Sequence, residues 1–203
     1  IGTTVTAAPG YPELAVKNLA ELTGIDFKNS EDLIAATSDC GAYMTLSSAI
    51  KGLAVKMTKV CNDIRLLASG PRCGLKEINL PQLQPGSSIM PGKVNPVAAE
   101  VANQASFLAI GLDTTVMLAA SAGQLELNVM EPVITFALYT QMKVMTNACD
   151  TLRTKLVEGV TANTERCKDY VMNSIGIVTL LKPHFGYQKC AAIAKEGYTC
   201  LLY

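Results

Sequence analysis

Residues 43–67 read YMTLSSAIKGLAVKMTKVCNDIRLL. Within them Tyr43, Leu46, Ile50, Leu53, Met57, Val60, Ile64 and Leu67 alternate steps of three and four, the spacing that keeps apolar side chains on one stripe of an α-helix and sustains a heptad seam. Lys51, Lys56, Lys59 and Asp63 fall on the far side, so this helix turns a stripe toward other helices and a wet face toward solvent. No proline lies between Ser30 and Ser69, and Ser30 with Glu31 and Asp32 behind it offers an N-cap with acid in the first turn. The spacing therefore predicts one helix over 31–69, ended by Gly70-Pro71.

Working outward, residues 1–11 read as loop, and Pro12 opens a short helical pattern (Leu14, Leu19, Leu22) that stops at Gly24. Downstream, Pro96 sits at a natural first helical position, and from Val97 to Ala122 only Glu100 and Asp113 carry charge. A helix so apolar around its circumference belongs inside a bundle. After a break at Gly123, Pro132 opens a third long helix with Ile134, Leu138, Met142, Met145, Cys149, Leu152 and Leu156 on one stripe. The expectation is an all-α fold. Long helices over 31–69, 97–121 and 132–157 pack near-antiparallel, burying the seam from Leu46 to Leu67, and a small helical tail follows from about residue 160.

Composition agrees with this reading and removes several functions. The chain of 203 residues is 49% hydrophobic and 17% charged, with 5% aromatics and no Trp, so its interior rests on Leu, Val, Ile, Met and Ala. Seventeen cations balance seventeen anions, which leaves no electrostatic footprint for nucleic acid. The seven cysteines are odd in number and scattered, with no Cys-x-x-Cys pair and one His in the chain, so reduced thiols and a cytoplasmic setting are expected. Apolar runs of spanning length are broken by Asn, Gln, Asp or Glu, so no membrane partner is expected. The chain opens at Ile1 without Met and closes on Cys200-Leu201-Leu202-Tyr203 without a turn signal, as a piece of a longer protein would.

Residues 70–96 hold five of the nine prolines and four glycines, and long loops of this kind are functional or disordered. Low charge, with Ile78, Leu80, Leu83, Ile89 and Met90 among them, argues against disorder. The loop contains Pro85-Gly86-Ser87-Ser88-Ile89-Met90-Pro91-Gly92-Lys93-Val94-Asn95-Pro96. It offers two hydroxyls flanked by glycines that admit a ligand to the backbone, then a cation and an amide just before a helix N-terminus, a set that suits a small carboxylate. The same composition also makes ordinary turns, and a lone Lys is commonly a solvated surface group.

The order of these residues closely resembles the signature of the aspartase/fumarase superfamily, Gly-Ser-Ser-x-Met-Pro-x-Lys-x-Asn-Pro. The resemblance extends along the chain through Ser69-Gly70-Pro71-Arg72, Ile78-Asn79-Leu80-Pro81, Gly123 to Pro132 and Asn173-Ser174-Ile175-Gly176-Ile177-Val178-Thr179. These segments look most like the ammonia-lyase branch, whereas Cys73, Gly92 and Glu126 would look at home in a fumarase.

The resemblance implies a long-helix bundle of that type, with residues 1–159 part of a central domain whose active-site loop is 84–96, and 160–203 the start of a C-terminal helical domain. It implies a carbon–nitrogen lyase that removes ammonia from L-aspartate to give fumarate, without a cofactor, in a homotetramer whose active sites each draw on three subunits. A fragment would then be inactive alone. Ser87 matches the family's general base; Lys93 and Asn95 match residues that bind the carboxylate on which charge develops, joined by backbone donors around Ser88, Ile89 and Met90. Glu100 matches a supporting position that in fumarases backs a catalytic His, and is otherwise a buried, paired carboxylate. His184, far off in the tail, reads as structural, so no Ser-His-Asp triad is expected. The alternatives are a class II fumarase on the same scaffold and a catalytically silent helical assembly module.

Overall fold

The computed structural model describes residues 2–200; Ile1 and the closing residues 201–203 lie outside the described residues. In chain order it contains α1 (Tyr11–Thr23), α2 (Leu33–Ser38), α3 (Gly41–Leu67), β1 (Ile78–Asn79), α4 (Val97–Ser121), α5 (Glu131–Lys155), β2 (Thr161–Ala162), α6 (Thr164–Met172) and α7 (Lys182–Cys200). Short 3₁₀ segments occupy Val157–Gly159 and Ile175–Leu181. The all-α expectation holds, since the strands of the described residues form one antiparallel ribbon with Ile78 opposite Ala162 and Asn79 opposite Thr161. The chain divides into two compact units, residues 1–61 with 98–153 and residues 62–97 with 154–203.

In the first unit α1 carries Pro12 in its opening turn and ends on Gly24, whose φ of +72° is unstrained only for glycine. The single helix expected over 31–69 is in fact two. Asp32, not Ser30, is the N-cap of α2, its carboxylate accepting the N–H groups of Ile34 and Ala35 at 2.9 Å. A second aspartate then intervenes. Asp39 is extended, and its carboxylate accepts the Gly41 N–H at 3.0 Å, so a local cap competes with helix continuation and starts α3 afresh.

The long helices α3, α4 and α5 meet through small residues. Gln141, ten residues into α5, donates to the Ala109 carbonyl, twelve residues before the end of α4, so those two run antiparallel about the 122–130 connection. Asn128 closes that connection, donating to the carbonyls of Ala119 and Ala120 and accepting the Met130 N–H. The buried residues of α3 are Ser47, Ala54, Met57 and Cys61. The expected seam is thus half right. Its Ile50–Met57–Ile64 column points inward, but Leu46, Leu53 and Val60 are 44–50% exposed, displaced by their smaller neighbours Ser47, Ala54 and Cys61. Alanines 99, 102, 109 and 137 are likewise buried in α4 and α5, and helices lined by such small residues pack closely enough to leave no room for leucine at the contact line. By length and composition α4 could cross a membrane, yet it buries Asn103, Ser106 and Asp113 with its alanines, the pattern of a helix packed on protein.

The second unit is stitched together by side chains. Asn79 donates to Asn163 Oδ1 at 2.6 Å, and Asn163 returns a bond to Asn79 Oδ1 and donates to the Lys76 carbonyl. The Tyr170 hydroxyl donates to the Leu75 carbonyl at 2.9 Å, fastening the 70–80 strap to α6. Gly74 permits the strap's bend, since a Cβ there would sit 2.4 Å from the Ser69 carbonyl carbon. α7 is interrupted at Gly186, whose φ of +74° leaves the helical region.

Candidate active site

The loop of residues 84–96 belongs to the second unit and is held by its own backbone. Gly86 donates its N–H to the Lys93 carbonyl at 3.0 Å, and its carbonyl accepts from Asn95 Nδ2 at 2.7 Å, so a clasp closes the loop at its base. Only glycine fits there. A Cβ on residue 86 would lie 2.1 Å from the Lys93 oxygen. Gly92, with φ +79°, turns the chain back between Met90 and Lys93.

Inside the clasp the half-buried Ser87 hydroxyl oxygen accepts two backbone N–H groups, from Ile89 and from Met90, each at 3.1 Å. These donors, expected to face a substrate, are directed at the serine itself. Two amides aimed at one oxygen favour negative charge on that oxygen, the condition a serine must meet to accept a proton from carbon. Lys93 is exposed and has no ion-pair partner among the described residues. Asn95 spends one N–H on Gly86 and keeps a second N–H available. Ser88, Ile89 and Met90 are exposed, Ile89 by 87%.

The structure therefore gathers Ser87, Ser88, Ile89, Met90, Lys93 and Asn95 on one loop. Glu100 stands half-buried in the first turn of α4, in the first unit, and His184 is exposed near the start of α7. Sequence reasoning missed a buried polar cluster in the first unit. Ser47 donates to Asp113 at 2.8 Å, Lys51 pairs with the same carboxylate, and Gln141 donates to Ser47 at 3.1 Å. Its signal was present: Asp113 is the one charged residue buried in α4, and Gln141 the one polar residue buried in α5.

The sequence pattern of a family described as lyase matches residues 1–111, more than half the chain. An aspartate ammonia-lyase of Helicobacter pylori is 57% identical over 97% of this chain. Among solved structures, a fumarate lyase:delta crystallin from Brucella melitensis bound to cobalt is 45% identical with a TM-score of 0.91, covering 98% of this chain and 44% of that one. A class II fumarase from Schistosoma mansoni is 34% identical with a TM-score of 0.92, covering 98% and 45%. The chain spans 42% of the length of the Helicobacter pylori relative. With the Gly86–Pro96 signature in place and the helical framework shared almost throughout, this chain belongs to the lyase family that unites the aspartases and fumarases.

Proposed function

We propose that this chain supplies the serine loop of a carbon–nitrogen lyase that converts L-aspartate to fumarate and ammonia. The observation that carries the proposal is the pair of N–H donors on Ser87 Oγ, within a loop that also presents Lys93 and Asn95. In this reading the Ser87 oxyanion takes a proton from the carbon next to the β-carboxylate. The electrons left behind move into that carboxylate, which gains a second negative charge opposite the Lys93 ammonium and the free N–H of Asn95. Those electrons then return to form the double bond, and the carbon–nitrogen pair departs with the amine as ammonia.

Identity of 57% to an aspartate ammonia-lyase supports this substrate over malate. The fumarase reading rests on the backbone likeness to the Schistosoma mansoni enzyme. A silent assembly module is disfavoured because a scaffold has no need of Ser87, Lys93 and Asn95 on one loop. The proposal includes a homotetrameric parent in the cytoplasm, residues 1–159 as part of a central domain and 160–203 as the start of another, and Glu100 in a supporting role. Exposed apolar residues on α4, Phe107, Leu108 and Leu118 among them, support self-association.

The test is a chimera in which residues 1–203 replace the matching segment of the Helicobacter pylori relative. It is expected to form fumarate from L-aspartate, and Ser87→Ala should cut turnover by about two to four powers of ten with a much smaller loss of binding. Near-normal turnover per folded molecule in Ser87→Ala removes the serine base. Activity on L-malate alone assigns the chain to the fumarases.

A further inference from the structure

A second concave surface in the second unit shares no residue with the serine loop. It is an open cleft of about 580 Å³ where the 70–80 strap meets the start of α6. Arg72, Lys76 and Arg166 line it against a single acid, Glu165. In a chain of zero net charge, three cations on one cleft are not a by-product of general basicity. None of the three forms an ion pair among the described residues.

Their placement is built rather than incidental. Lys76 adopts φ +51°, a left-handed conformation unfavourable for a residue that carries a side chain. The strap holds it there: the Lys76 N–H donates to the Ser69 carbonyl and its own carbonyl accepts from Asn163, both at 2.8 Å. The Arg166 guanidinium lies over the Tyr170 ring at 4.5 Å, and its Nε donates to the Leu75 carbonyl. That arrangement fixes the plane of the group and leaves both terminal nitrogens for another acceptor.

Asn163 is of the residue type best suited to cap α6, yet its side chain is spent on Lys76 and Asn79. The first-turn N–H groups of Thr164, Glu165 and Arg166 consequently have no side-chain acceptor and add their partial positive charge to the same cleft.

We propose that this cleft binds a phosphate-type oxyanion, with Arg72, Lys76 and Arg166 as its ligands. The donors arise from two segments, the strap and the start of α6, and three cationic groups on one cleft suit a tetrahedral group with three accepting oxygens better than the two coplanar oxygens of a carboxylate. The volume exceeds one phosphate, and Pro71 and Ala162 give an organic substituent an apolar surface.

The experiment is a titration of the ¹⁵N-labelled chain with inorganic phosphate at low ionic strength, following the amides of Thr164, Glu165 and Arg166, with succinate as the carboxylate comparison. Saturable shifts with phosphate and weaker ones with succinate are expected. Arg72→Ala, whose side chain holds no other element, should bind about tenfold more weakly, and Glu165→Gln more tightly. Shifts that never saturate, equal affinity for succinate, or an Arg72→Ala chain that binds phosphate like the parent would overturn the proposal.

Discussion

The serine loop depends on one residue without a side chain. Because a Cβ at position 86 would meet the Lys93 carbonyl at 2.1 Å, Gly86→Ala must open the clasp that aligns Ser87 with its two N–H donors. In the chimera we expect turnover to fall by about 100-fold, as misplacing a reacting group does, while the melting curve moves by no more than about 1 kcal/mol because the loop is largely exposed. Parallel rate and melting measurements decide this. A large stability loss with an unchanged rate per folded molecule would make Gly86 a folding residue only. Asp113 makes a different prediction. Burial pushes its carboxyl upward, but the hydrogen bonds from Lys51 and Ser47 and the charge of Lys51 outweigh that and hold it below the ordinary value. The unfolded reference is about 3.9. A carboxyl held lower in the folded chain contributes its full stability above that value and loses it as pH falls through the folded one. Asp113→Asn should therefore be about 1–3 kcal/mol less stable at neutral pH, and the gap should close on acidification below about pH 4. Thermal melts of both chains across that range test it, and a gap independent of pH would mean that shape, not charge, was lost.

At the scale of the helix, neighbours 53 and 54 on α3 should behave oppositely. Ala54 is fully buried and Leu53 is 47% exposed, although the leucine is the more apolar. Ala54→Leu must push α3 away from its neighbours at a cost of about 1–3 kcal/mol, whereas Leu53→Ser should leave denaturation of the dilute chain nearly unchanged and reduce its association. Urea unfolding and sedimentation velocity separate the two effects. This contrast also marks where sequence reading reaches its limit. Periodicity registers large apolar side chains, so it located α3 and its general face, but the inward line was settled by how closely the backbones approach, and there Ser47, Ala54 and Cys61 displaced leucine and valine. Punctuating residues were more informative. Pro12, Gly24, Gly70, Pro96 and Pro132 each stand within three residues of a helix end, and the Gly86–Pro96 order exposed the candidate site. The β1–β2 ribbon was illegible because two-residue strands have no period to detect. The donors on Ser87 were legible as loop amides, but their direction depends on the clasp, which joins residues by fold and not by spacing.

For the molecule as a whole, many large apolar side chains remain uncovered. Leu14, Leu19 and Leu22 of α1 are among them, and α1 buries no residue. Exposed apolar area on this scale should drive reversible association at micromolar concentration, and a midpoint of thermal unfolding that rises with chain concentration is the expected signature. A concentration-independent midpoint and a monomer by sedimentation would contradict it. The division of the chain also bears on the order in which it folds. The ribbon pairs Asn79 with Thr161, 82 residues apart, while the α4–α5 hairpin lies entirely between them. If that hairpin closes first, it brings its two ends together and cuts the remaining loop to roughly 25 residues, easing ribbon closure by about 1 kcal/mol. Refolding should then be sequential. Helical signal should precede any change in the fluorescence of Tyr170, and mutations that loosen the hairpin should delay the second step even though they lie outside the unit that it completes.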